Sequence, residues 1–238
     1  MSPGALQIEN LNHFYDGKHV LRDIAFSVKE SECFALVGMN GAGKTSLLKC
    51  VLDFIHFKSG NIQIFGLNNR INQSRHSLSF LPERFIPPYY LNGRDFLSYF
   101  LNLSQSPLIE SELLAMLKAL DLDASIMKKT VRQYSKGMTQ KLGLAGCFLS
   151  RKNLLILDEP MSGLDPKARF LVKNQFLRLR EEGKTVFFNS HSLADVEELS
   201  DRMAILHEGE IRFLGSPKEC IFRFKASNLE QAYLKCIA

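Results

Sequence analysis

The sequence predicts an α/β fold in which an antiparallel β region opens the chain and a helical lobe is inserted into the core. Three observations predict it. Short apolar runs ending at a glycine or a polar residue recur at "CFALVG" (33–38), "NLLILD" (153–158) and "TVFFNS" (185–190), as buried parallel strands do. Runs of helical period follow each of them. Between residues 85 and 150 the strand pattern gives way to helical runs.

In chain order, "ALQIENLNHFY" and "HVLRDIAFSVK" alternate or cluster apolar residues around the turn "YDGK", which reads as a hairpin. After "CFALVG", "KTSLLKCVLDFI" sets Leu47, Leu48, Val51, Leu52 and Ile55 on one helical stripe. "GNIQIFG" is a further short strand. In the lobe, "NGRDFLSYFLNL" precedes "SPLIESELLAMLKALDL", where Ser106 and Pro107 read as a helix start and Ile109, Leu113, Met116, Leu117 and Leu120 share a face. "KGMTQKLGLAGCFLS" completes the lobe. Strands and helices then alternate again: "NLLILD", then "DPKARFLVKNQFLRLREEG" with Asp165 as cap, Pro166 in its first turn and Gly183 as its stop. "TVFFNS" is a strand, "SLADVEELSD" a helix, and "MAILHEGEIRFLG" a hairpin turning at Gly209. A capping box from Ser227 to Glu230 precedes "LEQAYLKC". The expected organisation is one domain over 1–238, with 1–84 and 151–215 as the α/β core, 85–150 as the helical part and 216–238 as a short helical tail.

A chain of 238 residues with 45% hydrophobic and 23% charged residues suits a soluble globular protein. Its longest apolar runs, "CFALV" and "LLIL", are too short to cross a bilayer. The start "MSPGALQIEN" has neither a basic opening nor an apolar centre, so no secretion signal is expected. A cytoplasmic location follows, with any membrane role supplied through a partner. The five cysteines include no C-x-x-C pair, and Cys33, Cys50 and Cys147 stand among apolar neighbours as reduced core residues. The net charge of +5 is modest, and its densest basic stretch runs from Lys128 to Lys141 without an acid.

"GMNGAGKT" (38–45) fits the phosphate-loop pattern G-x-x-x-x-G-K-[ST] and falls between a strand and a helix, the context that gives the string its meaning. Gly38, Gly41 and Gly43, with Met39, Asn40 and Ala42 between them, let backbone N–H groups turn inward around phosphate oxygens at a helix start. Lys44 would reach the β- and γ-phosphates and Thr45 would set its hydroxyl on Mg²⁺, with Ser46 beside them. A nucleoside triphosphate is therefore the expected ligand. "LLILDEP" (154–160) delivers two adjacent carboxylates at a strand end. Asp158 would hold the magnesium shell and Glu159 would polarise the attacking water. "FFNSHS" (187–192) ends a further core strand in His191, placed where ligands gather in open α/β sheets.

With these pieces in this order, the chain resembles the ATP-binding cassette (ABC) ATPases over nearly its whole length. The resemblance implies that Tyr15 in "HFYDGK" stacks on adenine. It makes "YSKGM" (134–138), with Ser135, Lys136, Gly137 and Met138, the signature motif, in which Ser135 and the backbone at Gly137 would meet the γ-phosphate held by another subunit. "SGLD" (162–165), ending in Asp165, matches the D-loop, and His191 matches the switch histidine. The family's Q-loop glutamine falls on Glu83 of "FLPERF", a third candidate for the metal with Thr45 and Asp158. Lys136 and Met138 depart from the common signature, and "YSxGM" with "LPE" is similar to a branch of exporters. Met39 and Ser31 stand where a proline and a glycine are common.

The resemblance implies an ATP-hydrolysing subunit, using ATP and Mg²⁺, that drives transport through a transmembrane permease on a separate chain. It would sit on the inner face of the cytoplasmic membrane and pair with a like or sister cassette when ATP binds. No nucleic acid is expected as a partner. An ABC protein acting on chromosomes would need a long coiled-coil insertion, and the span between Lys44 and Asp158 is too short for one. Translation-type members carry two cassettes, where one is found. A module that binds ATP without turnover is disfavoured by Glu159 and His191.

Overall fold

The computed structural model describes residues 4–238; part of the opening read for a secretion signal, residues 1–3, lies outside the described residues. β1 (Leu6–Tyr15) and β2 (Lys18–Val28) form the expected hairpin, turning at Asp16 and Gly17. β3 (Cys33–Val37) leads into α1 (Lys44–Val51), and β4 (Ser59–Ile64) returns to pair antiparallel with β1. With β5 (Leu67–Asn68) these strands make a four-stranded sheet in the order β2-β1-β4-β5. α2 (Asn72–Arg75) and β6 (Leu78–Leu81) follow.

The helical part comprises α3 (Gly93–Leu103), α4 (Glu110–Ala119) and α5 (Lys136–Leu149). The chain then runs through β7 (Leu154–Asp158), α6 (Pro166–Glu181), β8 (Thr185–Ser190), α7 (Leu193–Leu199) and the hairpin of β9 (Arg202–His207) with β10 (Glu210–Gly215). α8 (Pro217–Arg223) and α9 (Leu229–Ile237) form the tail. The second sheet has six strands in the order β10-β9-β3-β8-β7-β6, parallel except for the β10 edge.

The central strands β3, β7 and β8 are buried throughout, and the two-residue period divides their apolar side chains between two cores. Phe34, Leu36, Ile156, Phe187 and Leu206 face α1 and the first sheet, where Leu47, Leu48 and Val51 meet Leu6, Ile8 and Ile24. Val37, Leu155, Leu157, Phe188 and Ile205 face the other way, toward Leu142 and Leu144 of α5, Phe176 of α6 and Val196 of α7. α1 is thus pressed between two sheets, which fixes the loop ahead of it. The rings of Phe26, Phe34 and Phe187 form a mutual cluster in this core, their centroids 5.3, 5.7 and 6.3 Å apart. Phe187→Ala is expected to cost about 3–5 kcal/mol, read from the shift of the denaturant midpoint. A loss under about 1 kcal/mol would contradict this packing.

Local chemistry corrects several of the expected details. α1 ends at Val51 because Asp53 takes a left-handed backbone (φ 58), so Ile55 lies beyond the helix and only half-buried. α4 begins at Glu110 and not at Ser106–Pro107; the Ser106 hydroxyl instead donates to the Ser150 carbonyl at 2.5 Å, tying the α3–α4 connection to the end of α5. The capping box is at Ser216 and Glu219, ahead of α8, whereas α9 is capped by Asn228, which accepts from the Gln231 N–H. β6 is a sheet strand that the sequence pattern did not single out. All five cysteines are free, and burial pushes the thiols of Cys50 and Cys147 up to about 12. Among the described residues, no helix is long and apolar enough to cross a membrane.

Candidate functional site

The loop from Gly38 to Gly43 joins β3 to α1 at the carboxyl edge of the parallel sheet. Two of its glycines are required by geometry. A side chain on Gly38 would run into the Leu206 carbonyl oxygen, and Gly43 has φ +111 at the N-cap of α1. That cap makes no side-chain hydrogen bond, so the leading N–H groups of α1 are left for a ligand. Lys44 folds back over the loop, its Nζ donating to the carbonyls of Gly38 (2.5 Å) and Met39 (3.2 Å). The loop is backed by the β9–β10 turn: Gly209 N–H donates to Ala42 O at 3.2 Å, and its carbonyl accepts from Arg22 N–H at 2.7 Å.

β7 carries Asp158 and Glu159 to the same edge. Asp158 is buried, and the Asn189 amide of β8 donates to its Oδ1 at 2.9 Å. Glu159 takes a left-handed backbone (φ 49) that turns its buried carboxylate into the cleft, where its Oε2 lies 2.8 Å from Nδ1 of His191. The His191 ring itself is 71% exposed. Burial pushes the carboxyls of both Asp158 and Glu159 above the ordinary range, opposed by Asn189 on the first and His191 on the second. Burial holds the Lys44 ammonium below its ordinary value, while Glu159, Asp158 and Glu83 draw it back up.

These groups line one cleft of about 610 Å³: Gly38 to Gly41, Gly43 to Ser46, Glu83, Asp158, Glu159 and His191, with Val20 of β2 at its wall. Ala42 is buried beneath it. Backbone donors at a helix start beside a lysine suit phosphate, and two carboxylates with the Thr45 hydroxyl are hard oxygen donors of the kind Mg²⁺ accepts alongside phosphate. The donors present fit both groups. Tyr15 is 68% exposed at the end of β1 and does not line this cleft.

The signature residues lie elsewhere. Ser135, Gly137, Met138 and Asp165 line a separate cleft of about 260 Å³ with Leu164 and Lys141. Ser135 is the N-cap of α5, its Oγ accepting from Met138 N–H at 3.2 Å, and the Tyr134 hydroxyl anchors the approach by donating to Ile126 O at 2.7 Å. Asp165 caps α6 through Ala168 N–H at 2.8 Å. The stem of Lys136 lies over Gly163, close enough that a Cβ there would meet its Cε at 2.9 Å. Within one chain, then, the phosphate loop and the signature do not meet.

Three residues that motif reading passed over take part. Asn189 holds Asp158, and Val20 walls the cleft. Gln140 is buried, and its amide donates to Pro160 O at 2.9 Å, joining the signature helix to the turn after Glu159. The legible signal for Asn189 was an amide directly after the apolar run of a core strand; Gln140, between Thr139 and Lys141, carries no such local signal.

The family described as ABC transporter matches residues 21–162. An uncharacterized ABC transporter ATP-binding protein of Synechocystis is 41% identical over 84% of this chain and 58% of its own length. The lantibiotic transport ATP-binding protein SrtF of Streptococcus pyogenes is 32% identical over 87% of this chain and 88% of its own. A solved structure of an ATP binding subunit of an ABC transporter superposes with a TM-score of 0.89 at 27% identity, covering 98% of this chain and 99% of that one. The chain spans less than two thirds of the first curated relatives it matches, 58% and 61% of their lengths.

Proposed function

The chain belongs to the ABC transporter family of ATP-binding domains, and from that premise we propose that it binds ATP with Mg²⁺, hydrolyses it, and drives transport through a separate transmembrane subunit. The observation that carries this reading is the single cleft gathering Lys44, Thr45, Glu83, Asp158, Glu159 and His191 at the strand ends. In it the 38–45 loop and Lys44 hold the phosphates, and Ser46 extends the contact along α1. Thr45, Asp158 and Glu83 hold the cation, which when bound neutralises charge on the phosphate oxygens. Glu159 takes the proton of the attacking water, with His191 orienting its carboxylate and facing the terminal phosphate.

Ser135 and the backbone at Gly137, with Lys136 and Met138 beside them, complete the site of a second subunit, like or sister, with Asp165 at the shared boundary. ATP then favours the closed pair because it touches both halves, and hydrolysis removes that differential contact. The core of this unit is 1–84 with 151–215, the signature part is 85–150, and 216–238 is the tail. The name of a 31% identical Nod factor export ATP-binding protein supports export, that of the lantibiotic transport ATP-binding protein supports a role in transport, and such a role has its place on the inner face of the cytoplasmic membrane.

Phosphate release from ATP by the purified chain, dependent on Mg²⁺ and on protein concentration, is the expected result. A salt-sensitive affinity for DNA or RNA that is indifferent to nucleotide would favour a nucleic-acid role instead. Tyr15→Ala is expected to weaken ATP affinity by about 1–3 kcal/mol if the ring stacks on adenine, measured by titration with ATP and with triphosphate alone. Equal losses for both ligands would contradict stacking.

A further inference from the structure

Asp158 and Asn189 are register partners at the ends of the adjacent parallel strands β7 and β8, so the sheet itself sets their side chains side by side. The Asn189 side chain is fully buried, and its Nδ2 donates to Asp158 Oδ1 at 2.9 Å. Its own Oδ1 has no hydrogen-bond partner among the described residues. The amide cannot turn over to satisfy that oxygen, because this would aim a carbonyl at a carboxylate. A buried strand normally fills such a position with an apolar side chain, as Phe188 and Phe187 do one and two residues earlier. An amide with one end unpartnered is retained where its other end does something an apolar group cannot.

We propose that Asn189 is a positioning residue for Asp158, holding one carboxylate oxygen so that the other is fixed toward the cleft for a divalent cation. The proposal rests on the ATP-dependent reading of this cleft. It explains the choice of side chain. A leucine of similar size would leave the buried Asp158 carboxylate without its donor, and an aspartate would set a second negative charge against it. A group that orients a metal-holding carboxylate tunes cation affinity without touching the cation.

The test measures binding and not turnover. Asn189→Leu and Asn189→Ala are titrated with Mg²⁺ at fixed fluorescent ATP analogue, and nucleotide affinity is measured separately in EDTA, with thermal melting as the check on folding. The expected result is a rise of about tenfold in the Mg²⁺ concentration giving half the signal change, with unchanged affinity in EDTA. The alanine variant carries the test if the leucine variant does not fold. An unchanged Mg²⁺ midpoint overturns the proposal, and so does an equal loss of affinity with and without Mg²⁺, which marks a general structural role. Failure of the unmutated chain to bind nucleotide would reject the reading of the cleft, a separate outcome from either.

Discussion

Glu159→Gln is expected to lower ATP turnover by about 10²–10⁴-fold while ATP still binds, and to accumulate an ATP-dependent dimer. The substitution keeps size and shape, and the glutamine oxygen can still accept from the His191 ring, so the cleft should stay intact. What it removes is a base. Burial pushes the Glu159 carboxyl above the ordinary carboxylate range, which moves its basicity toward the working pH. The sign follows: on acidification the unmutated chain should lose turnover at a higher pH than an ordinary glutamate would dictate, because the raised group takes up its proton sooner. Phosphate release is the measurement for the rate, and light scattering with and without ATP for the dimer. Undiminished hydrolysis in the glutamine variant would remove Glu159 from the role of general base.

Ser135→Arg is expected to abolish the ATP-dependent dimer and the turnover that depends on it, leaving ATP affinity of the single chain largely unchanged. Ser135 does not line the cleft of its own phosphate loop, so the lone chain has no reason to lose its ligand. The serine also has a local duty, accepting from Met138 N–H to cap α5, and its loss should cost about 1 kcal/mol of stability. Ser135→Ala separates the two effects, since it removes the cap without placing a long cation at the helix start. Sedimentation with ATP reads the dimer, and nucleotide titration reads the single chain. If the arginine variant bound no ATP as a monomer, the assignment of Ser135 to a second subunit's phosphate would be wrong.

Much of the site was legible because its parts are contiguous strings tied to strand ends. The phosphate loop needs its glycines in sequence, and a buried strand must be apolar until it reaches the cleft, so "CFALVG" and "LLILDE" announce both position and chemistry. Helix boundaries were less legible, since a capping residue can have a better partner far away. Ser106 looks like a helix start, but its hydroxyl serves a carbonyl at Ser150, and no local pattern records that. Ser227 and Glu230 match a capping box, yet Asn228 beside them does the capping. β6 is only four residues long and lies at the sheet edge next to β7, so "LSFL" carries too little pattern to stand out. The Asn189–Asp158 bond depends on strand register, which becomes visible only when β7 and β8 lie side by side.

The left-handed backbone of Glu159 carries a consequence for how this chain can be hardened against heat. A non-glycine residue at φ 49 is held there at a cost of about 1–3 kcal/mol, sustained by the surrounding packing. Glycine would relieve that cost and would be a natural choice for anyone selecting on melting temperature alone. It would also delete the carboxylate. At this one position selection for robustness and selection for chemistry point in opposite directions, and variants chosen only for survival at high temperature should drift toward inert proteins there.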